Sequence, residues 1–191
     1  MNSELRTVLL GATLLCGGGA GLAWLEPASA PARGAGVEDV VSRLGGARVL
    51  AADWQWLQAN LAWERRDEAA VRQRIGWAAT CDPETAYFWI NGARVLAYDL
   101  PAWRAERESA APAAVLRQAK RAGAEEALRW LERGQRWHGG RAALEMEMGA
   151  IRLQALGDRA GAAEHFRRAA ACADAPAAAA RLARVLGAEA P

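Results

Sequence analysis

From Ala47 onward the apolar residues recur at helical rather than strand spacing. Leu50, Trp54, Leu57 and Leu61 stand four, three and four residues apart, as on one face of a helix, while Trp56 and Trp63 mark a second face. A helix that is apolar on two sides belongs between neighbours. Asp67 punctuates the chain, and Ala70, Val71, Ile75 and Ala78 carry a returning helix that Asp82-Pro83 ends. The next helix turns Trp89, Ala93 and Leu96 inward, sets Tyr87, Arg94 and Tyr98 on an adjoining face, and stops at Asp99-Leu100-Pro101. The run over 101–112, with a proline at each end and mixed charge, reads as an inserted loop with a helical turn inside it. A longer helix follows, with Val115, Leu116, Ala119, Leu128 and Leu131 as its inner line and Gly123 as a kink; Trp137-His138-Gly139-Gly140 closes it. In the last hairpin Met146, Ala150 and Leu153 share a face, Gly157-Asp158 turns the chain, and Ala162, Phe166 and Ala169 line the return. A terminal helix over 177–186 covers the edge that a stack of hairpins leaves open.

The N-terminal part has a different pattern. From Val8 to Leu25 the chain is uncharged, VLLGATLLCGGGAGLAWL, with Arg6 before it and Glu26-Pro27 after it. A helix of that length spans roughly 27 Å, close to the hydrocarbon thickness of a bilayer. The segment over 1–26 is therefore expected to be a signal-anchor, with a cleaved signal peptide as the alternative. Ala28-Ser29-Ala30 has the small residues of a cleavage site but runs into Pro31, and Ala30-Pro31-Ala32 before Arg33 is a second candidate. Leu15 precedes Cys16 where lipidation needs a small residue, which favours Cys16 as a small buried apolar group. The stretch 27–43 is a flexible linker leading into a short helix from Val37 to Arg43, broken by Gly45-Gly46.

Composition fits one helical domain behind a targeting segment. The 191 residues are 52% apolar, enough for a sizeable core. Extended alternating runs of Val, Ile and Thr are absent, so the chain reads as all-α. A formal net charge of +2 supplies no field for nucleic acid, and Arg65-Arg66 and Arg167-Arg168 each sit among acidic neighbours. His138 and His165 have no spaced ligand set beside them, and no haem run, phosphate loop or nucleophile elbow occurs, so no metal, cofactor or catalytic residue is expected. Cys81 and Cys172 end the second helices of the first and third hairpins, too far apart in a stack to be bridged.

These spacings resemble the tetratricopeptide repeat, a helix–turn–helix unit of about 34 residues in which small residues let paired helices approach. The third hairpin carries the likeness best, through Met146, Gly149-Ala150, Leu153, Gly157, Ala162, Phe166 and Ala169; Asp174 stands where the closing proline is usual. The first fits through Trp54, Leu57 and Leu61, then Ile75, Ala78 and Pro83 after one extra residue, and the second through Trp89, Ala93 and Leu96 before its insert. LGGARVLAADWQWLQA followed by DPETAYFWINGARVLAYD is similar to a group of exported or membrane-anchored bacterial tetratricopeptide proteins. The resemblance implies a right-handed α-solenoid of about three hairpins, over about 47–83, 84–137 and 141–174, within a domain spanning 44–191.

In such solenoids the first helices line the binding surface. The repeat mapping puts Gln55, Ala59 and Trp63 there from the first unit, Tyr87, Ile90, Arg94 and Tyr98 from the second, and Glu147, Ile151 and Gln154 from the third. Of these, Trp63, Tyr87, Ile90, Arg94, Tyr98, Glu147 and Gln154 are the candidate partner-binding residues. Tyr and Arg anchor partners because each buries a large area and keeps a polar handle. Packing of Trp63 and Tyr98 against the insert or the next repeat is the structural alternative. Asn91 is expected to cap a neighbouring loop or touch a peptide backbone, and Asp53 to be buried and paired with Arg48 or Arg94.

The expected function is protein–protein scaffolding in envelope assembly, secretion or surface-structure biogenesis, without enzymatic activity. The partner would be a peptide segment or helix, and the protein would sit in a bacterial inner membrane with its soluble domain in the periplasm. An accessory subunit of a polysaccharide or cell-wall enzyme, with tryptophans stacking on sugars, is the alternative; it requires exposed tryptophans.

Overall fold

The computed structural model describes residues 47–188; the anchor, linker and short helix expected over 1–46 lie outside them. Every regular element among the described residues is helical. Helix α1 is Ala47–Glu64 and α2 is Glu68–Cys81. Helix α3 covers 86–107 in three parts: Ala86–Arg94, a π-helical turn Val95–Asp99, and Leu100–Arg107. Helix α4 is Ala113–Gln135. Helix α5 joins Ala142–Ile151 to a π-helical turn Arg152–Leu156, α6 is Arg159–Ala170, and α7 is Ala177–Ala188. Among the described residues no helix is long and apolar enough to cross a membrane.

Successive helices pack in pairs: α1 on α2, α3 on α4, α5 on α6, and α7 on α6. The turns obey simple chemistry. Asp67 caps α2, its carboxylate accepting from the amide of Ala70 at 3.0 Å, and Asp158 caps α6 by accepting from Gly161 at 2.8 Å. Gly157 supplies the left-handed residue (φ 67°) that ends α5, and the Asp158 amide then reaches back to the Arg152 carbonyl at 2.9 Å. Asp174 accepts from the first amide of α5, that of Ala142, at 2.8 Å. The residue standing in for a closing proline thus caps the first helix of its own hairpin.

Three features differ from the sequence expectation. Helix α1 buries its alanines, Ala52, Ala59 and Ala62, and leaves out the ridge expected to face inward: Leu50 is 71% exposed, Trp54 58%, Leu57 56% and Leu61 44%. The small residues win because they let α1 approach α2 closely. Trp56, on the face expected to be secondary, packs instead on Phe88, with ring centroids 5.6 Å apart.

The second difference is at Pro101. The stretch expected as a loop is helical through Arg107 and non-helical only over 108–112. A proline inside an α-helix removes one hydrogen bond and pushes its ring against the preceding turn. Here the π turn precedes it, with the Leu100 amide donating to the Val95 carbonyl five residues back, and the chain passes the proline without breaking. Gly123 does not interrupt α4; it is buried against this turn. The outer half of the expected inner line of α4 also differs, since Val115 is exposed while Leu128 and Leu131 are buried.

At the centre of the core, tryptophans and glycines interlock between α3 and α4. The rings of Trp89 and Trp130 lie 4.9 Å apart, Trp89 against Gly134 and Trp130 against Gly92. The Trp130 indole donates to the Trp89 carbonyl at 2.9 Å and the Trp89 indole to the Pro83 carbonyl at 2.9 Å. Each large aromatic body is buried while its one polar atom is satisfied.

Candidate functional site

The middle of α3, around its π turn, and α5 from Glu147 to Gln154 bring four of the sequence-selected residues together. Arg94 ends the first part of α3 and makes a two-pronged pair with Glu147 on α5, Nε to Oε1 at 3.0 Å and Nη2 to Oε2 at 2.7 Å. One turn along, the Tyr98 hydroxyl faces Oε1 of Gln154 at 3.5 Å. A guanidinium fork matched to a carboxylate fixes direction as well as charge. The bond to Glu147 raises the Arg94 pKa, against the opposing effect of burial. Burial pushes the Tyr98 phenol up, and the Glu147 charge adds to it. The site therefore presents a held cation beside a neutral phenol.

Glu147 itself, expected on the binding surface, is 7% exposed. It anchors Arg94 from below rather than meeting a partner. Arg94 keeps about half of its side chain open, and Tyr87, about two helical turns before it, is 53% exposed. Tyr87 stands edge-on to Trp56 at 5.3 Å and next to Phe88 at 5.8 Å, so its ring is braced while its outer face stays open. Ile90 is half-buried against the core. Asn91 donates to the Tyr87 carbonyl of its own helix at 2.9 Å, not to a neighbouring loop.

Trp63, near the end of α1, lies against the second half of α3. Its indole nitrogen donates to Asp99 at 2.8 Å and its ring lies 5.9 Å from Trp103, yet it remains partly exposed. The structural alternative raised for Trp63 is thus realised: it packs on the segment expected as an insert. The other mapped positions of the first and third units turn elsewhere. Ala59 and Ile151 are buried, and Gln55 accepts from Arg74 on α2 at 2.9 Å. Asp53 is exposed rather than buried, while Arg48 pairs with Asp82 and Glu84 and Arg94 with Glu147.

Several polar groupings escaped the sequence reading. Glu145 accepts from His165 at 2.7 Å and from Gln135, tying α4, α5 and α6 together. Burial would raise the Glu145 pKa, but His165 above all brings it below the usual carboxylate value. His138 is buried, and its Nε2 meets the Pro83 carbonyl at 3.1 Å. A carbonyl only accepts, so Nε2 carries the proton; Nδ1 is left without a partner. Burial lowers the His138 pKa, with the Pro83 bond opposing. Each link crosses ten to fifty-odd residues of chain, and no local spacing announces it. Among the described residues no cluster of His, Cys, Asp and Glu is arranged to hold a metal ion, and Cys81 and Cys172 are both free thiols.

Comparison with family models, with curated proteins and with solved structures finds no match for this chain.

Proposed function

We propose that the protein is a tetratricopeptide-like scaffold, an α-solenoid of about three hairpins held at a bacterial inner membrane by the Val8 to Leu25 segment, with its helical domain outside the cytoplasm. Its partner is a protein, bound as an extended segment or helix along the face that carries Tyr87, Arg94 and Tyr98. The observation that supports this reading most is the Arg94–Glu147 fork, because a half-open guanidinium braced by a buried carboxylate offers donors at a fixed angle. Tyr87 and Tyr98 flank it with amphipathic area of the kind that dominates protein interfaces. An acidic or carbonyl-rich segment suits such a face. Its role would be to assemble or tether components of the cell envelope, a secretion route or a surface structure.

The accessory-subunit reading keeps one supporting observation, since Trp54 and Trp63 are open enough to meet a ligand. Trp54, however, stands among Leu50, Leu57 and Leu61, and sugar platforms need polar groups at the ring edge. Titration of tryptophan fluorescence with cell-wall oligosaccharides separates the two readings.

The direct test is affinity capture from native membranes with the wild-type chain and with Tyr87→Ala, Tyr98→Ala and Arg94→Lys, each checked for an unchanged melting curve. Loss of the same partner from all three supports the proposal. Equal recovery by wild type and variants overturns it.

A further inference from the structure

The second half of α4 carries cations that the fold does not use. Arg129, Arg133 and Arg136 follow one another at four and three residues, so they stand in one row about 10 Å long on the outer side of the helix. All three are exposed, and with Glu126 and Glu132 they line an open recess. Elsewhere an arginine with a carboxylate one turn away takes it: Arg121 pairs with Glu125, Arg104 with Glu108 and Arg168 with Glu164. Glu132 is three residues from Arg129 and four from Arg136, yet among the described residues none of the three arginines makes an ion pair. Glu126 is taken by Arg72 of α2. Arg133 lies over the ring of the buried Trp130, 5.1 Å from its centre, which steadies the middle of the row.

Cations in a last turn complement the helix dipole, and that accounts for Arg133 and Arg136 without any ligand. It does not account for Arg129, more than a turn further in, nor for Trp137, which follows Arg136 and is 56% exposed. Guanidinium groups in a row, with an open indole at its end, match a surface that offers phosphates above an interfacial layer where indoles settle. The recess is lined by α4 alone, so no second wall grips an extended segment. An acidic chain of fixed sequence would also meet Glu132. Fluid headgroups bring their phosphates to the arginines and leave the glutamate to water.

We propose that this face of α4 docks on an anionic phospholipid surface, with Arg129, Arg133 and Arg136 meeting headgroup phosphates and Trp137 entering the interface. The inference rests on the membrane-held reading above. Each cation favours an anionic surface by only about fivefold, and three together by roughly a hundredfold, which settles a domain already at the membrane rather than recruiting one from solution.

The test uses the full chain with Cys16, Cys81 and Cys172 changed to Ser and an environment-sensitive fluorophore on Ala122→Cys, an exposed position one turn before the recess that leaves every charge in place. Ala180→Cys, exposed on α7, is the control. The protein is reconstituted in vesicles of phosphatidylcholine alone or with one-third phosphatidylglycerol, each containing a nitroxide-headgroup lipid as quencher. Docking predicts quenching at 122 at least fivefold stronger in the anionic vesicles, reversed by high salt, lost when Arg129, Arg133 and Arg136 are all changed to Gln, and unchanged at 180. Equal quenching in the two vesicles, or in the triple variant and its parent, overturns the proposal. Flotation separates this from the reading beneath it: a chain that fails to float with neutral vesicles contradicts membrane anchoring, while quenching at 122 in anionic vesicles still supports docking. A change at 122 on adding an oligoglutamate peptide, with none on adding anionic vesicles, would assign the row to an acidic protein instead.

Discussion

The Leu96 carbonyl and Gly123 meet so closely that a Cβ on Gly123 would stand 2.7 Å from the oxygen, and 2.7 Å from Cγ of Pro101. Pro101 has no N–H to offer the carbonyl five residues back, which is that of Leu96, and α4 comes against the turn at that point. Beyond the proline α3 continues as a helix, and its Trp103 reaches Trp63. Gly123→Ala should cost about 1–3 kcal/mol, the usual range for overpacking a tight contact. Urea unfolding followed by circular dichroism checks this, and an unchanged midpoint would show that α4 can shift away.

Arg94→Ala removes the partner of a buried carboxylate. Losing one member of a fully buried pair costs roughly 3–5 kcal/mol. Because Arg94 is half exposed to water, the expected loss here is nearer about 1–2 kcal/mol. Glu147→Gln should cost less, and the double variant less than the sum of the singles. A double-mutant cycle by thermal melting reads the coupling.

His138 makes stability depend on pH with a definite sign. Its folded-state pKa is lowered by burial from a usual value of 6.5, so in the interval between the two the unfolded chain holds a proton that the folded one does not. Stability should rise with pH through that interval, be complete above about pH 6.5–7, and fall as acid is added below it. His138→Gln keeps a donor for the Pro83 carbonyl and should flatten this slope. Melting temperatures across pH 5 to 8 for the two proteins test it; parallel curves would exclude His138 as the source.

Asp174→Ala should lose about 0.5–2 kcal/mol, the ordinary cost of an N-terminal cap, because the Ala142 amide then has no carboxylate to meet. Asp174→Asn keeps an acceptor and should lose less. Comparing the two by denaturant unfolding separates the hydrogen bond from the charge.

What sequence alone could supply was local. Helix ends at Asp67, Asp82-Pro83 and Gly157-Asp158 were legible, since each turns on the chemistry of one or two neighbouring residues. So were the buried faces of Val71, Ile75 and Ala78 and of Trp89, Ala93 and Leu96. The face of α1 differs from the expectation because Leu and Trp give a stronger periodic signal than Ala, although Ala52, Ala59 and Ala62 are the residues it buries. Pro101 read as a stop because the rule for proline in an α-helix takes no account of a π turn that absorbs it. At the candidate site the residue types were visible, but the division of labour was not. Glu147 as buried anchor and Arg94 as open donor follow from a contact across 53 residues of sequence.

A protein partner on the face of Tyr87, Arg94 and Tyr98 would lie within reach of a photo-crosslinking amino acid placed at position 87 of the full-length chain in living cells, with position 118, exposed on α4, as the comparison. A discrete protein adduct is expected from position 87, weakened at least tenfold by Arg94→Lys and absent from position 118. The absence of any adduct at 87, or the same adduct from both positions, would contradict it.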